Sequence, residues 1–160
     1  MTATDTTTHS GNRRRARELV LQASYAHELS GNEPMSIEKE VILGADENGT
    51  VRTFAADLFR RTIKHGQEYD ALISAKAVNW EFTRIAIMDK LILRIALCEI
   101  IHFSDIPPKV SIDEAIEIAK KFSTEKSGPF VNGILDAILN DLRESGKLRK
   151  KGRGLSEGKS

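Results

Sequence analysis

The stretch IAIMDKLILRIALCEIIHF, residues 85–103, carries apolar side chains on nearly every side of a helical period. A surface helix keeps one polar face, so a helix that is apolar almost all round is buried. Pro107 and Pro108 follow and prevent the helix from continuing. We therefore predict a central helix over residues 85–103, in which the thiol of Cys98 is buried and inert.

Apolar residues recur at helical spacing through most of the remaining sequence, and no segment alternates as a half-buried strand would. This pattern predicts an all-α fold of about six or seven helices. The predicted helices begin near residues 12, 35, 50, 85, 111 and 130. Asn12 is the predicted N-cap of the first helix and Gly31 its end. We expect a bend at Gly66 within the long pattern over residues 50–78.

The start of the helix near residue 111 has a specific local signal. Ser111 and Glu114 have the spacing of a capping box, in which the serine oxygen accepts the N3 amide and the glutamate reaches back. We therefore predict that this helix begins at Ser111.

The chain has 160 residues, of which 40% are hydrophobic and 29% charged, as in a folded domain of ordinary size. We predict a disordered polar segment over 1–12, a helical domain over 13–145, and a basic disordered tail over 146–160. No apolar run approaches the roughly 20 residues that span a bilayer. We therefore expect a cytoplasmic protein that has no membrane contact.

Charge is distributed unevenly along the chain. Residues 1–17 carry a net +3 and residues 146–160 a net +5, so the overall charge of +1 leaves −7 on residues 18–145. Basic ends on an acidic body suggest an anionic partner that meets the ends. For the C-terminal run, a solvated tail is an equally good interpretation.

Motifs for catalysis and metal binding are missing from the sequence. It contains no GxGxxG, no GxxxxGK[ST] and no HExxH, and the four histidines show no metal-ligand spacing between any two. We therefore predict no enzymatic activity, no cofactor and no metal site.

Four arginines fall within five positions at the predicted start of the first helix: Arg13, Arg14, Arg15 and Arg17. Cations there oppose the helix dipole, so we expect that their removal does not lower stability, although Arg14 can pair with Glu18. Guanidinium groups and unpaired helix amides together suit phosphate binding. The alternative is a frayed, solvated helix end or a targeting run.

A second candidate RNA contact lies in KSGPFVNG, residues 126–133. A cation at Lys126, an aromatic ring at Phe130 and an amide at Asn132 could hold a phosphate, stack a base and read its edge. The alternative is that Phe130 is simply the first core residue of the last helix.

Over residues 13–140 the sequence resembles the NusB family of bacterial transcription antitermination factors. The likeness rests on the order and spacing of several motifs: RRRARE at 13–18, Trp80, LRIAL at 93–97, DIP at 105–107, DEA at 113–115 and FVNG at 130–133. The resemblance implies about seven helices in two packed helical bundles that form one domain. It also implies binding of boxA RNA together with NusE, a small-subunit ribosomal protein, within an antitermination complex on RNA polymerase.

The resemblance further implies which residues meet each partner. The residues expected to face RNA are Arg13, Arg14, Arg17, Lys126, Phe130 and Asn132. The residues expected to meet the ribosomal protein are Tyr25, Asp89 and Arg94. Pro129 departs from the family, which often has a basic residue at this position.

Two other functions stay open at the level of sequence. One is a helical domain related to those fused to ribosomal RNA methyltransferases, and the other is a protein-only scaffold whose basic ends are incidental. The sequence also leaves open whether the free protein forms a homodimer.

Overall fold

The computed structural model of the chain describes residues 3–77 and 84–148, with side chains from residue 11 onward. These residues form seven α-helices, a π-helical segment and no strand, which confirms the all-α prediction. The chain divides into two compact units, residues 1–64 and residues 65–160. Trp80 and the basic tail from residue 149 lie outside the described residues. No described helix is long and apolar enough to cross a membrane.

The first unit contains three α-helices and the π-helical segment. Its elements are α1 (Ala3–Ser30), α2 (Pro34–Ile37), the π-helical segment (Glu38–Leu43) and α3 (Gly49–Lys64). Helix α1 packs against α3. Apolar residues at helical spacing on these two helices form the buried core: Ala16, Leu19, Val20, Ala23, Val51, Ala55, Leu58 and Phe59.

Two features shape the turn regions of this unit. Gly31 ends α1 with a φ of 71°, as glycine does at many helix ends, and its amide donates to the carbonyl of His27. Gly44 follows the π-helical segment, and a Cβ there would lie 2.6 Å from the carbonyl oxygen of Glu40. Only glycine therefore fits position 44 without a shift of the backbone.

The start of α1 differs from the prediction. The helix begins at Ala3, nine residues before Asn12, so the segment predicted to be disordered is helical from residue 3. Once a helix is nucleated, each added residue gains one hydrogen bond, which lets α1 run through a segment of weak helix formers. Asn12 instead accepts a hydrogen bond from Asn48, whose own side chain caps α3 by accepting from the amide of Val51 at 2.9 Å.

The second unit contains four helices around one central helix. Its elements are α4 (Gly66–Lys76), α5 (Ile87–His102), α6 (Pro108–Phe122) and α7 (Ser127–Glu144). Helix α5 packs against α4, α6 and α7, as predicted from its all-round apolar sequence. Cys98 is fully buried within it, which confirms the predicted placement. The break between α3 and α4 falls at His65, next to the predicted bend.

The capping-box prediction for Ser111 is wrong. Helix α6 begins at Pro108, so Ser111 lies inside the helix, where its hydroxyl donates to Glu99 at 2.9 Å. Proline at the first helical position has its φ already set and lacks the amide that would need a partner, so it starts the helix earlier. Ser111 and Glu99 are each about 1% exposed, and their hydrogen bond satisfies a buried carboxylate.

Candidate nucleic-acid interface

The arginine cluster lies in the first unit, on the middle turns of α1. Arg14 is exposed, whereas Arg13 is half-buried and its guanidinium carbon lies 4.6 Å from the ring centroid of Phe54 on α3. Arg17 lies 5.8 Å from the same ring and is only 4% exposed. The Phe54 ring therefore lies within cation–π distance of two arginines, whereas Arg14 between them is exposed.

The extended start of α1 changes how these arginines can act. Because α1 begins at Ala3, Arg13 lies well beyond the first turn, where the amides already bond within the helix. The expectation that free helix amides help to bind a phosphate is therefore wrong. The expected penalty from the helix dipole is absent as well, since the dipole acts mainly within the first and last turns. Anion binding at this surface depends on the guanidinium groups.

Arg15 is held by ion pairs within its own unit. Its Nε donates to Glu47 at 2.6 Å and its Nη1 donates to Glu18 at 3.3 Å. The hydrogen bond to Glu47 raises the pKa of Arg15 above its ordinary value, and Glu18 adds to the effect. Glu18 thus pairs with Arg15 three residues away. These contacts give Arg15 a structural role.

An open groove of about 650 Å³ runs beside Arg13. Its lining residues come from α1 and the first turns of α3: Asn12, Arg13, Gly49, Thr50, Thr53, Phe54 and Asp57. The groove offers one guanidinium, two exposed hydroxyl groups and one aromatic ring, which suits a phosphate and its sugar. Asp57 would repel a phosphate, but it accepts a hydrogen bond from Arg61 at 2.9 Å and is partly neutralised.

The second predicted RNA contact lies at the start of α7, in the second unit. Lys126 and Asn132 are exposed and Phe130 is half-buried, so Phe130 is neither fully in the core nor fully displayed. Helical register places Lys126 and Phe130 one turn apart on the same face. Asn132, two residues after Phe130, points to a different face. The structure therefore brings the cation and the ring together but separates the amide from them.

Asp89 is buried, and its carboxylate is hydrogen-bonded to the segment that precedes α7. It is 8% exposed, and its Oδ1 accepts a hydrogen bond from Ser123 at 2.8 Å. Ser127 donates to Ser123 at 2.9 Å, and the amide of Thr124 donates to Ser127. This chain of bonds ties the α6–α7 connection to the first turn of α5. Asp89 thereby fixes the segment that carries Lys126.

The other two residues expected to meet a protein partner have different environments. Tyr25 on α1 is 38% exposed, and Leu29, one turn further along, is 65% exposed. Together they present an apolar surface in the first unit. Arg94 instead makes a bidentate ion pair with Asp70, at 2.6 and 2.9 Å, which ties α5 to α4. This geometry gives Arg94 a structural contact in addition to any role with a partner.

Sequence reasoning missed several residues of this surface. Phe54 fits the apolar stripe of α3, a position typical of a core residue, yet it is half-buried under Arg13. Its pairing with an arginine 41 positions away in the chain has no local signal. Leu29 could have been found from its spacing of four residues from Tyr25, off the buried stripe of α1.

The comparisons with known proteins agree on one family. The NusB family model matches residues 14–140. The chain is 49% identical to the transcription antitermination protein NusB of Salinibacter ruber over 144 residues, which cover 89% of this chain and 90% of that protein. NusB of Geobacter sulfurreducens is 44% identical over 138 residues, which cover 85% of this chain and 99% of that protein.

Solved structures of NusB proteins have the same fold. T. maritima NusB matches with a TM-score of 0.74 at 37% identity, over 81% of this chain and 91% of that one. NusB in a crystal structure of the antitermination factors NusB and NusE in complex with dsRNA matches with a TM-score of 0.70 at 26% identity. That match covers 81% of this chain and 97% of the other.

Proposed function

Since this chain belongs to the NusB family, we propose that it is an RNA-binding transcription antitermination factor that recognises boxA RNA together with NusE. It acts by binding, without catalysis, in the cytoplasm, as part of an antitermination complex on RNA polymerase. One of its structural relatives forms a complex with NusE and dsRNA, which supports these two partners.

The observation that carries the proposal is that Arg13 lines an open groove and that Arg14, its neighbour in the chain, is exposed. Two adjacent arginines can contact successive phosphates, and the groove supplies hydroxyl groups for the sugar. Arg17 is part of the proposed RNA-binding set, but at 4% exposure it reaches RNA only when its contact with Phe54 opens. The phosphate contacts of the free protein therefore depend mainly on Arg13 and Arg14.

Lys126, Phe130 and Asn132 form a second proposed contact with RNA. Lys126 and Phe130 share a helix face. A nucleotide whose phosphate contacts the lysine would therefore have its base near the half-buried ring. Asn132 on another face would meet a different nucleotide. The hydrogen bonds from Asp89 to Ser123 and on to Ser127 hold this contact in position. Asp89 thus influences RNA binding through the loop and needs no contact with RNA.

Titration of labelled RNA with the full chain tests RNA recognition. We expect tighter binding to boxA RNA than to a scrambled RNA of equal length, and Arg14→Ala should weaken binding of boxA RNA. Lys39→Ala is the matched control, because it removes one exposed positive charge from the same unit away from the groove. Equal affinity for the two RNAs, or an equal effect of the two variants, would contradict the proposal and favour a protein-only scaffold.

The acidic body of the chain supports a basic protein partner. Residues 18–145 carry a net charge of −7, which repels RNA phosphates and attracts a basic protein such as NusE. The exposed pair Tyr25 and Leu29 provides apolar area for docking. We expect saturating NusE to tighten boxA binding by roughly 5- to 150-fold, the usual range for coupling between two sites.

The coupling is measured by titrating boxA RNA with and without NusE at one salt concentration. Tyr25→Ala should weaken the gain from NusE while leaving RNA binding by the free protein unchanged. Val110→Ala, which shortens another exposed apolar side chain, serves as the control. Identical RNA affinities in the two titrations would remove the basis for cooperative binding.

A further inference from the structure

Three side chains with metal-ligating atoms meet in the second unit, outside the proposed RNA contacts. His65 directly precedes α4, Glu68 lies in its first turn, and His102 is the last residue of α5. One ligand atom from each residue lies within 4.8 Å of the other two. The separation of His65 and His102 by 37 positions in the chain explains why spacing in the sequence gave no sign of this cluster.

We propose that His65, Glu68 and His102 bind a divalent transition-metal ion, with Zn²⁺ as the best match. Two imidazole nitrogens and one carboxylate oxygen are a donor set that Zn²⁺ accepts, and three protein ligands leave a fourth position for water. Mg²⁺ and Ca²⁺ prefer oxygen ligands, so a site with two imidazole nitrogens is a poor match for these two ions. The site goes beyond the proposed binding of RNA and does not depend on it.

Side-chain rotations are needed to close the site around an ion. The two imidazole rings are stacked, with centroids 4.1 Å apart and planes inclined by 20°. His65 Nδ1 already lies 3.6 Å from Glu68 Oε2. Tetrahedral ligands bound at about 2.1 Å lie roughly 3.4 Å from one another, so the widest pair must approach by at most about 1.4 Å. Because a nitrogen binds a metal in the plane of its ring, the rings must also tilt out of the stack.

The surroundings favour a partly enclosed cation. His65 and His102 are half-buried, Glu68 is exposed enough to swing inward, and the buried ring of Tyr69 lies about 6 Å from both imidazoles. The C-terminal end of α5 at His102 attracts positive charge, whereas the start of α4 at His65 has the opposite dipole, so the attraction for a cation comes from the ligand atoms themselves. A bound ion would therefore link the end of α5 to the start of α4.

Isothermal titration of the untagged full chain with Zn²⁺ alone tests the site, and Co²⁺ provides a visible absorption spectrum that reports tetrahedral nitrogen and oxygen ligation. We expect one ion per chain at this site. Loss of one ligand should weaken binding at least tenfold, since even loss of a group that only supports a ligand costs about 10- to 100-fold. Glu68→Gln is the decisive variant, because an exposed side chain can change without unfolding the protein, and His65→Gln is the second.

His27→Gln is the matched control, because it removes an imidazole from the first unit that donates to the carbonyl of Asn32 and lies in no such cluster among the described residues. The proposal is supported if this variant binds Zn²⁺ as the unmodified chain does, while Glu68→Gln and His65→Gln bind at least tenfold more weakly. Bound Zn²⁺ should also raise the melting temperature of the unmodified chain but not that of Glu68→Gln. Absence of binding, or equal affinity in all variants, would overturn it and leave the stacked histidines as a packing contact.

Discussion

Separate replacement of Arg14 and Arg17 by alanine should distinguish an arginine that faces RNA from one that supports the fold. The two residues are three positions apart on α1 and each change removes one positive charge. Arg14 is exposed, whereas Arg17 is 4% exposed with its guanidinium near the Phe54 ring. The same chemical change should therefore have different effects on stability and on RNA binding.

The magnitudes follow from these environments. A desolvated cation–π contact is worth up to about 2 kcal/mol, and the buried methylene stem of Arg17 adds packing. We expect Arg17→Ala to lower the free energy of unfolding by about 1–3 kcal/mol. Arg14→Ala should change it by less than about 0.5 kcal/mol, as for most surface substitutions. This expectation replaces the one drawn from the helix dipole, under which neither change would destabilise the protein.

The assays are urea unfolding of each variant and titration of boxA RNA at several salt concentrations. One lost phosphate contact with single-stranded RNA should reduce the slope of log K against log salt by about 0.7, and this reduction is expected for Arg14→Ala. The control variant Lys39→Ala should change neither the slope nor the stability. Equal stability of the Arg14 and Arg17 variants, or an unchanged slope for Arg14→Ala, would refute the reasoning.

Three further changes test other contacts. Asp89→Ala removes the buried acceptor of the Ser123 hydroxyl, so it should lower the free energy of unfolding in urea by about 1.5–3 kcal/mol. It should also weaken RNA binding, and an unchanged RNA affinity would contradict the positioning role of Asp89. Cys98 should resist a thiol reagent in the native protein, and Cys98→Asp should cost several kcal/mol in the same unfolding assay; rapid labelling would contradict its burial. Gly44→Ala places a Cβ 2.6 Å from the carbonyl oxygen of Glu40, so it should lower the free energy of unfolding by about 1–3 kcal/mol in thermal or urea unfolding. An unchanged free energy of unfolding would show that the turn relaxes around the added methyl group.

The elements that sequence predicted well are those fixed by local patterns. Helix α5 is apolar nearly all round, and a helix with that composition has no stable place except the interior. Gly31 ends α1 because its positive φ suits glycine, a requirement visible from the residue type alone. Burial of Cys98 follows from its place on α5. Each of these predictions depends on neighbours within one or two turns.

The capping-box prediction failed because of a contact that is distant in the sequence. Ser111 and Pro108 are both valid local signals for a helix start, and α6 begins at Pro108. The hydroxyl of Ser111 is therefore not a cap but donates to Glu99, a buried carboxylate on another helix that needs a hydrogen-bond donor. Likewise, the half-buried position of Phe54 reflects an arginine on α1. Helical periodicity in the sequence shows which residues are apolar, but it does not show which side chain from another helix packs against each of them.

The stack of Arg13 on Phe54 also affects the entropy of binding at the groove. A free arginine samples many rotamers, and fixing such a side chain on binding costs about 0.5–1.5 kcal/mol. Arg13 is already restricted by its contact with the ring at 4.6 Å, so part of that cost is met when the protein folds. An anion that enters the groove therefore meets a guanidinium whose side chain is already ordered.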